Sequence, residues 1–224
     1  MSILSNRLNK FKPSLTVKVS QKARELSSKG INIISLSSGE PDFDTPLHVK
    51  DEGIRAINNG FTKYTAVDGI DSLKLAITQK FKQDNLINYD INQISVGVGG
   101  KHVIFNLFMS TLNCGDEVIM SSPYWVSYPD IVSLCEGNPV IVNTKESNKF
   151  KMTPEELESK ITKKTKWVII NSPGNPTGST YNREELSNLA NVLLKYENIW
   201  ILSDDIYEYL IYDNLKFFNI LNVE

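Results

Sequence analysis

The chain has 224 residues, of which 41% are apolar and 22% are charged, and its formal net charge is −2. A chain of this length can bury a sizeable core in one large domain. The near-neutral charge gives no electrostatic reason to expect a nucleic acid or an anionic membrane surface as a partner. No apolar run approaches the ~18 residues of a membrane span, and the first residues lack a signal-peptide core. These features predict a cytoplasmic protein.

The first part of the chain favours helices and one polar loop. Apolar residues at helical spacing predict three helices, near Val17–Ser28, Val49–Asn58 and Ile70–Lys82. The loop Gly39–Pro46 separates the first two.

Later in the chain, short apolar runs alternate with helical patterns, which is typical of a largely parallel sheet with crossover helices. Five strands are predicted, at Ile94–Val98, Val118–Ser121, Pro139–Asn143, Trp167–Asn171 and Ile199–Ser203. The segment Val103–Leu112 is apolar nearly all round, so we expect a buried helix there.

Two later helices have clear start signals. Thr153 and Glu156, with a proline between them at the first helical position, are typical of a capping box. Asn182 and Glu185 have the same spacing. An apolar stripe at helical spacing then predicts a core-facing helix: Leu186, Leu189, Ala190, Leu193 and Leu194.

Polar loops follow the predicted strands, and ligands of open α/β sheets bind outside the carboxyl ends of the strands. Gly99, Gly100 and Lys101 follow the first predicted strand and open a helix, which suits a phosphate group. A tight turn without a ligand is the alternative. The segment lacks the third glycine of a dinucleotide fingerprint and the Ser or Thr of a Walker A loop.

The loop Asn171–Gly178 is more specific, because its two prolines and two glycines fix its path. Asn175 is thereby left as a hydrogen-bonding side chain at the edge of the sheet. Asp204 follows the next strand, where its carboxylate would face a bound ring, and Tyr207 would return to the same side in a helical turn. Asp205 would then be a helix N-cap.

These loops and three further segments resemble class I aminotransferases, which are enzymes built around pyridoxal phosphate (PLP). The further segments are Gly39–Pro46, Lys63–Thr65 with Gly69, and Ser122–Pro129. They occur in the order and rough spacing of the family, closest to its bacterial aspartate/prephenate subgroup. The resemblance implies an α/β fold: the three-layer αβα large domain of the PLP-transferase fold type I, with sheet order 3-2-4-5-6-7-1.

On this resemblance, residues 1–46 would form an N-terminal arm and substrate-side segment, and residues 47–224 an incomplete PLP-binding large domain. The five predicted strands would be strands 1 to 5, so the last two strands and the C-terminal small domain would be missing. Ile94–Val98 would then lack a ladder partner. We therefore expect the chain alone to fold poorly, to aggregate or to need a second chain.

The resemblance implies how the cofactor ring would be bound. Asp204 would pair with the pyridine nitrogen and keep it protonated, while Asn175 and Tyr207 would bind the phenolic oxygen. Trp125 would stack on the ring, whose π-face suits an indole.

The phosphate would be held by the backbone N–H groups of Gly99, Gly100 and Lys101. Tyr64 would reach the phosphate of the partner subunit in a homodimer, the state that the resemblance implies.

The substrates implied are amino acids and 2-oxo acids. Gly39 would meet the α-carboxylate through its backbone, and Trp125 and Asn175 would also contact the substrate. Lys101 and Lys12 resemble groups that receive a distal carboxylate, for which a cation is the natural partner. A solvated surface charge is the alternative for Lys12.

The family's Schiff-base lysine, in a Ser-x-Ser/Thr-Lys loop, has no match in this chain. Ser27-Ser28-Lys29 is only superficially similar, and Lys216 lacks the context. We therefore expect no catalytic residue and no metal ligand here, and an inactive chain by itself. Transamination of aspartate with 2-oxoglutarate, with prephenate as a further substrate, would belong to the intact protein. The alternatives are an aminotransferase of another amino acid, a PLP lyase, and a non-catalytic fragment that pairs with a complementary chain.

Overall fold

The computed structural model describes residues 3–10, 15–36 and 39–223. These residues form seven α-helices: α1 Leu15–Ser28, α2 Leu47–Asn58, α3 Asp71–Asp84, α4 Gly100–Thr111, α5 Ser127–Leu134, α6 Pro154–Glu158 and α7 Arg183–Leu193. They also form four strands: β1 Glu117–Ser122, β2 Asn138–Asn143, β3 Thr165–Asn171 and β4 Trp200–Asp204.

Packing divides the chain into two compact units. One consists of Met1–Phe11 and Asp68–Glu224, and the other of Lys12–Val67. The first unit contains the whole sheet, whereas the second contains α1 and α2. The predicted division into residues 1–46 and 47–224 stays a prediction.

The four strands form one parallel sheet in the order β2-β1-β3-β4. Counted by the five predicted strands, this order is 3-2-4-5, which matches the order implied by the resemblance. The strands β3 and β4 pair in a register that sets Asn171 opposite Asp204. The strands β3 and β4 therefore end side by side, at the edge where ligands of such sheets bind.

The sheet is covered on both faces, because successive side chains of a strand point to opposite sides. Val118 and Met120 pack in one core with residues of α4 and α5. Ile119, between them, packs in a second core with residues of α6 and α7. Two helical layers thus enclose the sheet, and the predicted three-layer αβα fold is confirmed.

Both predicted capping boxes are present. The Thr153 hydroxyl accepts a hydrogen bond from the Glu156 backbone N–H at 3.2 Å, and the Glu156 carboxylate accepts one from the Thr153 N–H at 3.0 Å. In the second box the Asn182 side-chain oxygen accepts from the Glu185 backbone N–H at 2.9 Å, and the Glu185 carboxylate accepts from the Asn182 N–H at 2.8 Å. Each box satisfies two N–H groups that an isolated helix end would leave unpaired.

Ile94–Val98 has no ladder partner in the described chain, as expected, and it does not form a strand, so the strand prediction is wrong. Its Val96 N–H donates to the Asp68 carbonyl at 3.0 Å, which is one backbone bond outside any sheet. A strand requires a row of such bonds to a neighbour.

Two helix predictions also need correction. In α4 only one face is buried, through Ile104 and Phe108, while Val103 and Met109 are 42% and 53% exposed because the sheet covers a single side. Leu194 is 80% exposed, since α7 ends before it, and Val192 lies in the core instead. None of the described helices is long and apolar enough to cross a bilayer.

Candidate active site

A cavity of about 580 Å³ opens at the carboxyl ends of β3 and β4. It is lined by the start of α4 and by the loops that follow β1, β3 and β4. Seven of the predicted site residues line it: Gly99, Gly100, Lys101, Trp125, Asn175, Asp204 and Tyr207. The fold therefore brings these residues together, although they span more than a hundred positions of the chain.

For three other predicted site residues, no position at this cavity is established. Gly39 and Tyr64 are exposed and belong to the unit Lys12–Val67. Lys12 lies outside the described residues. The roles predicted for all three stay predictions.

Asp204 is held at the end of β4 by both of its carboxylate oxygens. Oδ2 accepts a hydrogen bond from the Tyr128 hydroxyl at 2.5 Å, and Oδ1 accepts one from the Ile206 backbone N–H at 3.3 Å. The carboxylate is thus oriented before any ligand arrives, as a preorganised binding group must be.

Tyr128 is a site residue to which the sequence analysis assigned no role. It lies in α5, is 2% exposed, and places its ring at 5.3 Å and 86° to that of Trp125. Burial, followed by the negative charge of Asp204, raises the pKa of Tyr128 well above its usual range, so the hydroxyl stays a donor. The available signal was a tyrosine on the sheet-facing side of a helix, within the segment Ser122–Pro129.

Asn171 is a second residue without an assigned role, and it joins two of the loops. Its side-chain Nδ2 donates to the Asp204 carbonyl at 2.8 Å, and its Oδ1 accepts from the Asn175 backbone N–H at 2.8 Å. One carboxamide therefore fixes the distance between the loop after β3 and the end of β4. A polar residue at the last position of a buried strand was the signal for it.

The N-cap prediction for Asp205 is wrong, because the chain after β4 forms a turn over residues 206–209 and no helix. Asp205 instead accepts hydrogen bonds from the Ser203 hydroxyl at 2.7 Å and from the Asn219 side chain. Burial raises the pKa of Asp205, the two hydrogen bonds lower it, and the charges of Glu208 and Asp204 raise it further. Asp205 therefore anchors the turn after β4, and it also lines the cavity.

The same turn is tied to α3, which explains how Tyr207 reaches the cavity without a helix. The Glu208 carboxylate pairs with the Lys80 ammonium and accepts a hydrogen bond from the Asn85 side chain at 2.8 Å. Asn85 is buried. These contacts hold Glu208, the residue next to Tyr207, in addition to the bonds that Asp205 accepts.

The start of α4 has the geometry of an anion site. Gly99, with φ of 104° and ψ of 161°, has a backbone conformation that is essentially restricted to glycine. Its carbonyl accepts from the backbone N–H groups of His102 and Val103 at 3.1 and 3.2 Å. The N–H groups of Gly100 and Lys101 lie in the first turn, where a helix supplies no acceptor of its own. A negatively charged group is stabilised at such a helix end.

Charge and aromatic surface complete the cavity. The Lys101 ammonium lies 5.3 Å from the centroid of the Trp125 ring. The cavity is therefore lined by backbone N–H donors, a cation, a carboxylate and an indole. Such a site suits a flat ligand that carries an anionic group and a basic ring nitrogen. Among the described residues, no group of three or more His, Cys, Asp or Glu side chains could hold a metal ion.

Comparison with known proteins identifies the family. The model of the aminotransferase class I and II family matches residues 31–224. The chain therefore belongs to that family.

Individual relatives agree with this assignment. A probable aspartate/prephenate aminotransferase of Rickettsia typhi is 56% identical over 223 residues, covering 100% of this chain and 56% of that protein. The crystal structure of the aspartate aminotransferase from Rhizobium meliloti matches with a TM-score of 0.95 at 42% identity, covering 100% of this chain and 56% of that one. The Thermus thermophilus aspartate aminotransferase solved with maleate matches with a TM-score of 0.95 at 43% identity, covering 100% and 58%. The chain thus spans little more than half the length of these relatives.

The Tyr128–Asp204 bond predicts the effect of removing one hydroxyl. Tyr128→Phe should lower the free energy of unfolding by about 1.5–3 kcal/mol, the typical contribution of a hydrogen bond to a charged group. Urea denaturation followed by tryptophan fluorescence measures this.

Tyr209→Phe is the matched control, because Tyr209 also donates to a carboxylate, that of Asp84, but is exposed. Water replaces that bond readily, so the loss should be clearly smaller. Equal losses in the two variants would show that the Tyr128–Asp204 contact is no stronger than a surface contact.

Proposed function

We propose that this chain forms the PLP-binding part of an aminotransferase whose intact form transfers the amino group of aspartate to 2-oxoglutarate, with prephenate as a further amino-group acceptor. The observation that carries the proposal is the oriented Asp204 carboxylate, in one cavity with the anion-binding start of α4. Membership of the aminotransferase class I and II family supports PLP as the cofactor.

The residues present fit this cofactor in their chemistry. PLP has a phosphate, a pyridine nitrogen and a phenolic oxygen, and the cavity offers a separate partner for each. The backbone N–H groups of Gly100 and Lys101 would hold the phosphate, and Asp204 would accept the proton-bearing ring nitrogen. Asn175 and Tyr207 line the cavity where they would bind the phenolic oxygen. When bound, the protonated ring withdraws electrons from the substrate Cα.

The chain's own residues would act mainly by holding groups in place. Tyr128 and the Ile206 N–H group would keep the Asp204 carboxylate aimed at the ring nitrogen, so the proton stays on that nitrogen. Asn171 would keep Asn175 and Asp204 at a constant separation. Trp125 would cover one face of the ring and exclude water from it.

The Lys101 ammonium at this cavity supports a dicarboxylic acid as the substrate, because it could pair with a second carboxylate. The Lys101 ammonium is exposed beside Trp125 and would receive the distal carboxylate of aspartate. The relatives named above support this choice, because their names give aspartate and prephenate and one of them was solved with maleate, a dicarboxylate. Gly39 and Lys12 would complete the substrate site, and Tyr64 would serve the partner subunit of a homodimer.

Cofactor binding tests the proposal without requiring catalysis. Pyridoxamine 5′-phosphate should bind the intact protein freed of its own cofactor, because it needs no covalent lysine. Asp204→Ala should raise its Kd by about tenfold or more, since a charge-assisted hydrogen bond of about 1.5–3 kcal/mol is lost. Isothermal titration calorimetry measures the Kd.

Asp213→Asn serves as the control for lost negative charge. Asp213 is exposed, its φ is 58°, and asparagine tolerates that conformation well. If Asp204→Ala leaves the Kd of pyridoxamine 5′-phosphate unchanged, or if Asp213→Asn raises that Kd equally, Asp204 is not the partner of the ring nitrogen.

The absence of a matching Schiff-base lysine predicts a second result. Treating the chain with PLP and borohydride should leave no single lysine labelled stoichiometrically. Lys101 lines the cavity, but it lies in the first turn of α4, where we propose the phosphate, and would not reach the aldehyde of the cofactor. Peptide mass spectrometry after reduction measures the labelling, and one fully modified lysine would contradict the prediction.

Substrate assays on the intact protein separate the alternative activities. With 2-oxoglutarate as acceptor, aspartate should give a kcat/KM at least about tenfold above those of alanine and phenylalanine, because only aspartate engages a cation with its second carboxylate. A preference for another amino acid would favour a different aminotransferase, and release of ammonia or a cleaved side chain would favour a PLP lyase. Co-purification of a second polypeptide with an inactive chain would favour the non-catalytic fragment.

A further inference from the structure

His102 lies in the first turn of α4, and its ring folds back towards the preceding segment. Its Nδ1 is 3.2 Å from the Val98 backbone nitrogen, and its Nε2 is 3.1 Å from the Asn106 side-chain amide. The imidazole therefore spans the two glycines at positions 99 and 100. Neither contact belongs to the cofactor partners proposed above.

The hydrogen-bonding chemistry fixes the state of this ring. A backbone N–H can only donate, so Nδ1 of His102 must be an acceptor and carry no proton. A neutral ring then has its proton on Nε2, which faces the Asn106 Nδ2 and would donate to the Asn106 amide oxygen once the amide is turned. The Asn106 amide can turn to present that oxygen, whereas the Val98 N–H has no such freedom. The neutral ring with an unprotonated Nδ1 is therefore the form that can accept the hydrogen bond from the Val98 N–H.

Gly97 gives an independent indication that the ring has a dedicated place. A Cβ at this position would lie 3.0 Å from His102 Nδ1 and 2.7 Å from a methyl carbon of Val103. Real Cβ atoms essentially never approach as closely as the second distance. The side chains of Val103 and His102 together therefore fill the space that a Cβ at Gly97 would need. Its φ is not positive, so a turn requirement does not explain this glycine.

The segment between Gly97 and α4 has little else to hold it. The Val98 side chain is 91% exposed, so packing contributes little to its position. Gly99, next to it, is a residue type with unusual backbone freedom. The segment is held by the hydrogen bond from the Val98 N–H to His102 Nδ1. It is also held by the bonds that the Gly99 carbonyl accepts from α4.

We propose that His102 is a positioning residue for the phosphate-binding loop, holding the Val98 backbone through Nδ1 so that the N–H groups at the start of α4 converge on the phosphate. This inference rests on the proposed function, because it concerns the phosphate end of the same cavity. His102 itself does not touch the phosphate in this role.

Two substitutions, made in the intact protein freed of its cofactor, separate the Nδ1 contact of the ring from its Nε2 contact. His102→Asn retains an acceptor oxygen at the Nδ1 position, whereas His102→Gln retains a polar atom only near the Nε2 position. His102→Gln should raise the Kd of pyridoxamine 5′-phosphate about three- to tenfold, which corresponds to one ordinary hydrogen bond. His102→Asn should restore the Kd to within about twofold of that of the unsubstituted protein.

Pyridoxamine, which lacks the phosphate, is the matched ligand. Its Kd should be the same in the unsubstituted protein and in both variants, because the loop contacts only the phosphate. A merely structural role would weaken both ligands together. Failure of the unsubstituted protein to bind pyridoxamine 5′-phosphate would count against the proposed function, whereas equal binding by His102→Gln would overturn the role of His102.

Hydrogen exchange gives a readout that needs no ligand. The Val98 amide should exchange slowly in the unsubstituted protein and in His102→Asn, and about tenfold faster in His102→Gln, measured by NMR at constant pH. Equal exchange in all three proteins would overturn the inference whatever the ligands do. Unchanged exchange in α7, far from this loop, verifies that each variant is folded.

Discussion

The side chain of Asn171 is the contact on which the candidate site depends. Its carboxamide reaches from the end of β3 to the carbonyl of Asp204 at the end of β4, and it also accepts the backbone N–H of Asn175. The parallel register makes this possible, because it sets Asn171 and Asp204 side by side. Without that bridge, two polar loops would leave the sheet independently, and no common ligand geometry would follow.

The rest of the site is preorganised by buried or partly buried polar pairs. Tyr128 orients the Asp204 carboxylate from α5, and Lys80 with Asn85 holds the turn after β4 from α3. Within the described part of the chain, no buried side-chain N or O atom lacks a hydrogen-bond partner. Because an unsatisfied buried polar group costs about 1–3 kcal/mol, such complete pairing fixes one arrangement and disfavours others.

The cavity is lined by groups of opposite electrostatic character, and each has its own structural origin. The N–H donors come from the start of α4 and need only the backbone and the freedom of Gly99. The carboxylate is that of Asp204, a side chain that β4 and α5 hold in place.

What the sequence alone determined is local. The capping boxes at Thr153 and Asn182 and the glycine loop before α4 rest on contacts between residues a few positions apart, and β1 to β4 are visible as short apolar runs. Strand formation at Ile94–Val98 and burial of α4 depend on which segments lie beside them, and the predictions of a strand and of an all-round buried helix were wrong. The Tyr128–Asp204 bond joins residues 76 positions apart, and the Lys80–Glu208 pair joins residues 128 apart. Only the folded sheet decides such contacts, because no periodicity or spacing records which distant side chains will meet.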